Sequence, residues 1–130
     1  MSVRQHAELL RLRMRCDTSA PRLARHALER LREIHAVRED ALLVASELTS
    51  NAVRHSGAAP TGEIELRAQL VPNGILIEVI DEGRSGDVPH ARKSEAATPG
   101  GFGLPVVEAI ASRWGSERLR GTRVWAELPL

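Results

Sequence analysis

Between residues 8 and 16 apolar and basic side chains alternate, with Leu10, Leu12, Met14 and Cys16 on one side and arginines on the other. A period of two with one polar face predicts a half-buried strand, antiparallel or at an edge. The period then changes. Asp17-Thr18-Ser19-Ala20-Pro21 reads as a helix start, with Thr18 or Ser19 as N-cap and Pro21 in the first turn. Leu23, Ala27, Leu28, Leu31 and Ile34 supply the stripe this helix is expected to bury, and the pattern breaks around His35. Arg38-Glu39-Asp40 opens a second helix, with its acids at the positive end of the helix dipole. Ala41, Val44, Ala45, Leu48 and Ala52 then recur at the spacing of a helix packed on a core, and Gly57 is the expected stop.

Residues 63–70 alternate strictly and residues 75–80 form a β-branched run, with Pro72-Asn73-Gly74 between them. That combination predicts an antiparallel hairpin whose second strand is the more central. From Asp81 to Gly103 periodicity disappears, and glycines stand at both ends of the stretch. Long structureless connections in compact domains are usually lids or binding loops, so a lid is expected at about residues 84–100. A helical stripe resumes at Leu104, Val107, Ala111 and Trp114, with Pro105 in its first turn and Gly115 as its end. Two short strands close the chain, one around Arg118-Leu119-Arg120 and one from Thr122 to Leu128, with Gly121 at the turn. The order β-α-α-β-β-lid-α-β-β predicts one domain over residues 1–130, an α+β two-layer sandwich with a mostly antiparallel sheet.

Composition acts mainly by exclusion. Of 130 residues, 42% are hydrophobic and 27% charged, ordinary values for a domain that builds its core without staples. The net charge of +1 gives nucleic acid no support as a partner, although nine of the basic residues fall in the first 40 positions against six acidic ones. No Tyr, one Phe and two Trp make no platform for stacked bases. Cys16 is the sole cysteine, which excludes an internal disulfide and a cysteine metal site; a small core residue in a reducing, cytoplasmic setting is expected. No apolar run approaches the roughly 18 residues of a membrane span, and no signal-peptide core opens the chain.

The candidate chemistry sits at the ends of these elements. On the second helix Glu47, Asn51 and His55 fall at i, i+4 and i+8, one row along one face in steps of about 6 Å. Asp81-Glu82-Gly83 follows the central strand, Gly100-Gly101-Phe102-Gly103 leads into a helix, and Gly121-Thr122 opens the last strand. Glycine before a helix lets backbone approach a ligand, and the free N–H groups of the helix favour phosphate. Asp81 suits an exocyclic amine such as that of adenine. Asn51 offers an amide oxygen to Mg2+, and Glu47 a carboxylate that can act as general base. Taken singly, each has a plainer meaning: a turn, a surface acid, a histidine on the last helix carbonyls. The sequence has neither a P-loop nor a G-x-G-x-x-G after a strand.

In order and spacing the four clusters resemble the GHKL ATPase superfamily of gyrases, heat-shock chaperones, histidine kinases and mismatch-repair ATPases. Glu47-Leu48-x-x-Asn51-Ala52-x-x-His55 is similar to its N box, Asp81-x-Gly83 to its first glycine box and Gly101-x-Gly103-Leu104 to its second. Gly121-Thr122, followed by Val124-Trp125, resembles the terminal strand motif. The form of the N box and Arg113-Trp114-Gly115 resemble more narrowly the actinobacterial ATP-binding regulators of the anti-sigma-factor serine/threonine kinase type. The likeness runs from about residue 8 to 130. It implies a Bergerat-type fold, a mixed sheet covered on one face by helices, with ATP and Mg2+ as cofactors. It implies Asn51 on Mg2+, Glu47 as catalytic base, and Asp81 on the adenine amine with Thr122 supporting it through water. Gly83, Gly101 and Gly103 would let the lid wrap the nucleotide, and Leu104 would pack behind it. Phe102 and Pro105 depart from the family pattern at the phosphate end, and Arg84, Arg92 and Lys93 are candidate phosphate partners in the lid.

The function implied is a kinase that phosphorylates an anti-anti-sigma protein and sequesters a sigma factor. Its alternative is a nucleotide-gated binding module with little or no kinase activity. Glu47 favours the first and Phe102 the second. A sensor histidine kinase or topoisomerase subunit is not expected, because 130 residues hold no phosphoacceptor hairpin or transducer domain. The resemblance also implies a homodimer, with the Arg-rich outer face of the first strand as one candidate surface.

Overall fold

The alternating segments become the sheet. The computed structural model describes residues 7–55, 62–81, 104–118 and 121–130, with the backbone alone at His55. Strand β1 spans Ala7–Arg15, β2 Glu63–Val71, β3 Gly74–Asp81, β4 Arg113–Arg118 and β5 Thr122–Pro129. They form one five-stranded sheet in the order β1-β2-β3-β5-β4. Every neighbouring pair among these strands is antiparallel, which narrows the expected mixed sheet. As expected, β1 is an edge and β3 is central.

Register sorts the side chains into two faces. The rows Leu66–Val79–Val124 and Ala68–Ile77–Ala126 cross β2, β3 and β5, and all six residues are buried. Over them lie helices α1 (Ala20–Glu29), α2 (Arg38–His55) and α3 (Pro105–Ile110). Helix α2 packs on β3 and β5, α1 on α2 and β1, and α3 on α2 and β4. Between these rows, Glu65, Arg67, Glu78, Arg123 and Glu127 occupy the other face, where they neutralise one another. Arg123 meets Glu78 at 2.8 Å and Glu117 at 2.7 Å, and Arg67 meets Glu65 at 3.1 Å. This is the two-layer α+β sandwich that the pattern predicts.

Gly74 has a different purpose from the one its sequence context suggests. Val71 pairs with Gly74, so Pro72 and Asn73 alone form the loop and Gly74 already belongs to the ladder. A Cβ there would lie 1.9 Å from the Leu128 carbonyl oxygen, backbone that has no room to yield. Gly74→Ala is therefore expected to destabilise by up to about 3 kcal/mol, the upper range of overpacking. A chemical denaturation midpoint indistinguishable from wild type would contradict the close approach.

Two helices differ from expectation. In α1 the buried residues are Ala20, Ala24 and Leu28, while Leu23 is 44% exposed. The buried stripe is the side on which the helix packs against α2 and β1. The helix also ends earlier. Leu31 is extended, and a 3-10 helix at Arg32–Val37 carries the buried Ile34. The C-terminal helix stops at Ile110, Ala111 is extended, and Trp114 and Gly115 belong to β4. Pairing with β5 decides this. Trp114 stands opposite Ala126 and Gly115 opposite Trp125, and a Cβ on Gly115 would meet the Trp125 ring at 3.0 Å. The expected helix end at Gly57 lies outside the described residues.

At the start of α1, Ser19 is the N-cap residue but makes no capping bond. Its N–H and hydroxyl both donate to Asp17 Oδ1, first through the hydroxyl and then through the N–H holding the Asp17 carboxyl below its usual range. A depressed folded value stabilises the fold above the unfolded carboxylate range. That contribution fades as pH falls through the folded value. The stability gap between wild type and Asp17→Asn should therefore shrink on acidification below about pH 4. A gap that stays constant in denaturant titrations down to pH 2 would remove the linkage.

Candidate functional site

Helix α2 carries the first half of the site. Ala41, Val44, Ala45 and Leu48 are completely buried, and each Leu-sized side chain so buried is worth about 1.5–3 kcal/mol. This stripe fixes the rotation of the helix about its axis, and with it the flank from which Glu47 and Asn51 project. Glu47 is half-buried, whereas Asn51 is 1% exposed. The two sit one turn apart, as their spacing requires. The side chain of His55 lies outside the described residues.

The strands carry the second half. Asp81, the last residue of β3, stands opposite Thr122 on β5 and Ile64 on β2. This row is in phase with the buried rows above it, so Asp81 and Thr122 face the helix side, and Asp81 is 4% exposed. Asp81 and Thr122, to which the family resemblance gave one adenine contact bridged by water, are register partners on adjacent strands.

A short series of contacts joins the halves. Met14 pairs with Ile64, and Ile64 with Asp81. Two residues beyond Met14, Cys16 takes a backbone bond from its N–H to Gly62 O, and its Sγ lies 3.8 Å from Ala52 O. Ala52 follows Asn51 directly. The last turns of α2 therefore lie over the end of the sheet that holds Asp81 and Thr122. Cys16 is the buried core residue its context predicted. Leu104, 1% exposed, precedes α3, which packs on α2. Gly83, Gly101, Phe102, Gly103, Arg84, Arg92, Lys93 and the lid at 84–100 lie outside the described residues.

Asn51 Oδ1 is buried and has no hydrogen-bond partner among the described residues. An unmet buried acceptor costs about 1–3 kcal/mol, a cost that a ligand supplying a cation or donor removes. The donor set fits Mg2+, which binds through one or two protein oxygens and completes its shell with phosphates and waters. Among the described residues no three His, Cys, Asp or Glu side chains come together, so none forms an all-protein cage of such ligands.

A second concavity, about 600 Å3, opens on the other sheet face beside Trp125, Arg113 and Arg123. Its described charges are matched: Arg123 to Glu78 and Glu117, Arg113 to Glu127 at 3.8 Å. It leaves no comparable unmet group. One residue escaped the sequence reading. Thr49, wholly buried on α2, donates its hydroxyl to Ala45 O at 2.7 Å and Ser46 O at 3.1 Å. Its place four residues after Ala45 was the available signal.

A five-stranded antiparallel sheet with helices over one face fits an ATP-binding domain of the GHKL type. Residues 14–128 match the family model described as the histidine kinase-like ATPase domain, and the chain belongs to that family. A search of curated proteins found no match. No helix among the described residues is long and apolar enough to cross a membrane.

Proposed function

We propose that the protein binds Mg-ATP and transfers the γ-phosphoryl group to a serine or threonine of an anti-anti-sigma protein, and in its unantagonised state sequesters a sigma factor in the cytoplasm. The observation that most supports the nucleotide part is the buried Asn51 Oδ1, unpartnered among the described residues, at the same end of the molecule as the Asp81–Thr122 register pair. In this reading Asn51 holds Mg2+, which when bound neutralises phosphate charge. Asp81 accepts from the adenine amine, Thr122 supports it through water, and Leu104 packs behind the nucleotide.

Glu47 takes the proton of the attacking hydroxyl as that oxygen bonds to the γ-phosphorus. The bond from the γ-phosphorus to the bridging oxygen breaks, and ADP leaves with the electron pair. The helix supplies orientation, since Glu47 and Asn51 share one flank a turn apart.

The test is incubation with γ-labelled ATP, Mg2+ and candidate anti-anti-sigma proteins. Label on a partner Ser or Thr is expected. ATP bound without transfer to any of them would replace the kinase with a nucleotide-gated binding module, a reading that Pro105 in the first turn of α3 favours by stiffening the phosphate end.

A further inference from the structure

Neither Glu47 nor Asn51 Oδ1 is held by a hydrogen bond or ion pair among the described residues. Their aim is therefore set by the helix turn that carries them. One side chain of that turn is bonded back into it. Thr49 is completely buried, and its hydroxyl donates to the carbonyls of both Ala45 and Ser46. The same turn is tied to α1 by Arg25, whose Nη1 donates to Ser46 Oγ at 3.1 Å.

The hydroxyl is an expensive way to fill this position. Its neighbours on the buried stripe are Ala41, Val44, Ala45 and Leu48. Valine would occupy the same volume with no polar atom to satisfy, and threonine is a poorer helix former than alanine. A hydroxyl bonded to the i−4 carbonyl adds a second bond to a backbone acceptor, and such back-bonds often bend a helix locally. Thr49 lies two residues from Glu47 and two from Asn51, which at 100° per residue puts both on nearly the opposite flank, about 160° round the axis. A bend set on the Thr49 flank changes the angle and separation of two side chains that project from the other.

Building on the proposed magnesium site, we propose that Thr49 is a positioning residue: its back-bond sets the curvature of α2 that aims Asn51, and with it Glu47, at Mg-ATP. Thr49 touches neither metal nor nucleotide. It acts through the backbone between the two groups that do.

The experiment measures ATP affinity with and without Mg2+ for wild type, Thr49→Val, Thr49→Ser and Asn51→Ala, with thermal melts to establish folding. Thr49→Val is expected to keep its magnesium-free affinity and to lose roughly five-fold of the increment that Mg2+ adds, the order of one hydrogen bond. Thr49→Ser, which keeps the hydroxyl, should restore the increment. A merely structural role would weaken binding equally with and without Mg2+, and that outcome overturns the proposal. So does a wild-type increment in Thr49→Val, or a failure of Thr49→Ser to restore it. If the valine variant does not fold, Thr49→Ala against Thr49→Ser isolates the same hydroxyl: loss in the first alone supports the role, and equal behaviour overturns it. Asn51→Ala separates the two levels. If that variant keeps the full increment, the magnesium assignment has failed and Thr49 falls with it. If it loses the increment and Thr49→Val does not, only the positioning role has failed.

Discussion

Asn51→Ala loses the magnesium-dependent part of ATP binding and keeps its fold. The expectation rests on the contrast between the two states of one atom. Without ligand, Asn51 Oδ1 is buried and unpartnered among the described residues, which carries an unfavourable term of about 1–3 kcal/mol. Alanine removes the orphan acceptor and leaves only a small void. The ligand-free variant should then be within about 1 kcal/mol of wild type, since the two changes oppose one another. With Mg-ATP the balance reverses. A contact to a charged group is worth roughly 1.5–3 kcal/mol, so the affinity in Mg2+ should fall about 10- to 100-fold. At a nucleotide concentration about 100 times the wild-type dissociation constant, wild type gains about 2.7 kcal/mol of stability by mass action and the variant much less. Thermal shift with and without Mg2+ reads both halves. An equal shift for wild type and Asn51→Ala would end the assignment of the site.

The parts of the fold that the sequence displays are those in which a single segment carries its own signal. Alternation from 63 to 70 and the β-branched run from 75 to 80 correspond to β2 and β3, because one face of each meets a core and the other meets charge. Helix α1 was less legible. Two apolar stripes run along it, and the helix buries Ala20, Ala24 and Leu28 while Leu23 stays exposed. Nothing within the segment says which stripe its neighbours cover. The end of α3 was hidden for a similar reason. Trp114 continues a helical stripe from Leu104, but the fit of Trp125 against Gly115 belongs to two strands at once.

The candidate site divides in the same way. Glu47 and Asn51 share a helix, so their spacing alone puts them on one flank. Asp81 and Thr122 lie on strands that no local pattern connects, and only the family resemblance joined them before the β3–β5 register did. Thr49 went unnoticed because a threonine in a helix reads as surface. It is completely buried, and its hydroxyl is satisfied inside its own turn.

Glu47→Gln should lower phosphoryl transfer by about 10²- to 10⁴-fold, the usual contribution of a general base, while ATP binding stays near wild type. Glutamine keeps the shape and length of the side chain and removes its capacity to take a proton. Glu47 is half-buried and bears no hydrogen bond or ion pair among the described residues, so the substitution breaks no contact on which the fold depends. It lies one turn before Asn51 on the same flank, so in the proposed reading it would meet the incoming hydroxyl beside the phosphates, displaced along the helix from the residue that would hold Mg2+. Loss of rate without loss of affinity separates this role from that of Asn51, whose substitution acts first on binding. Single-turnover transfer from labelled ATP, measured beside nucleotide affinity, resolves the two. A Glu47→Gln variant that phosphorylates its partner at the wild-type rate would remove Glu47 as the base and leave α2 with a binding role alone.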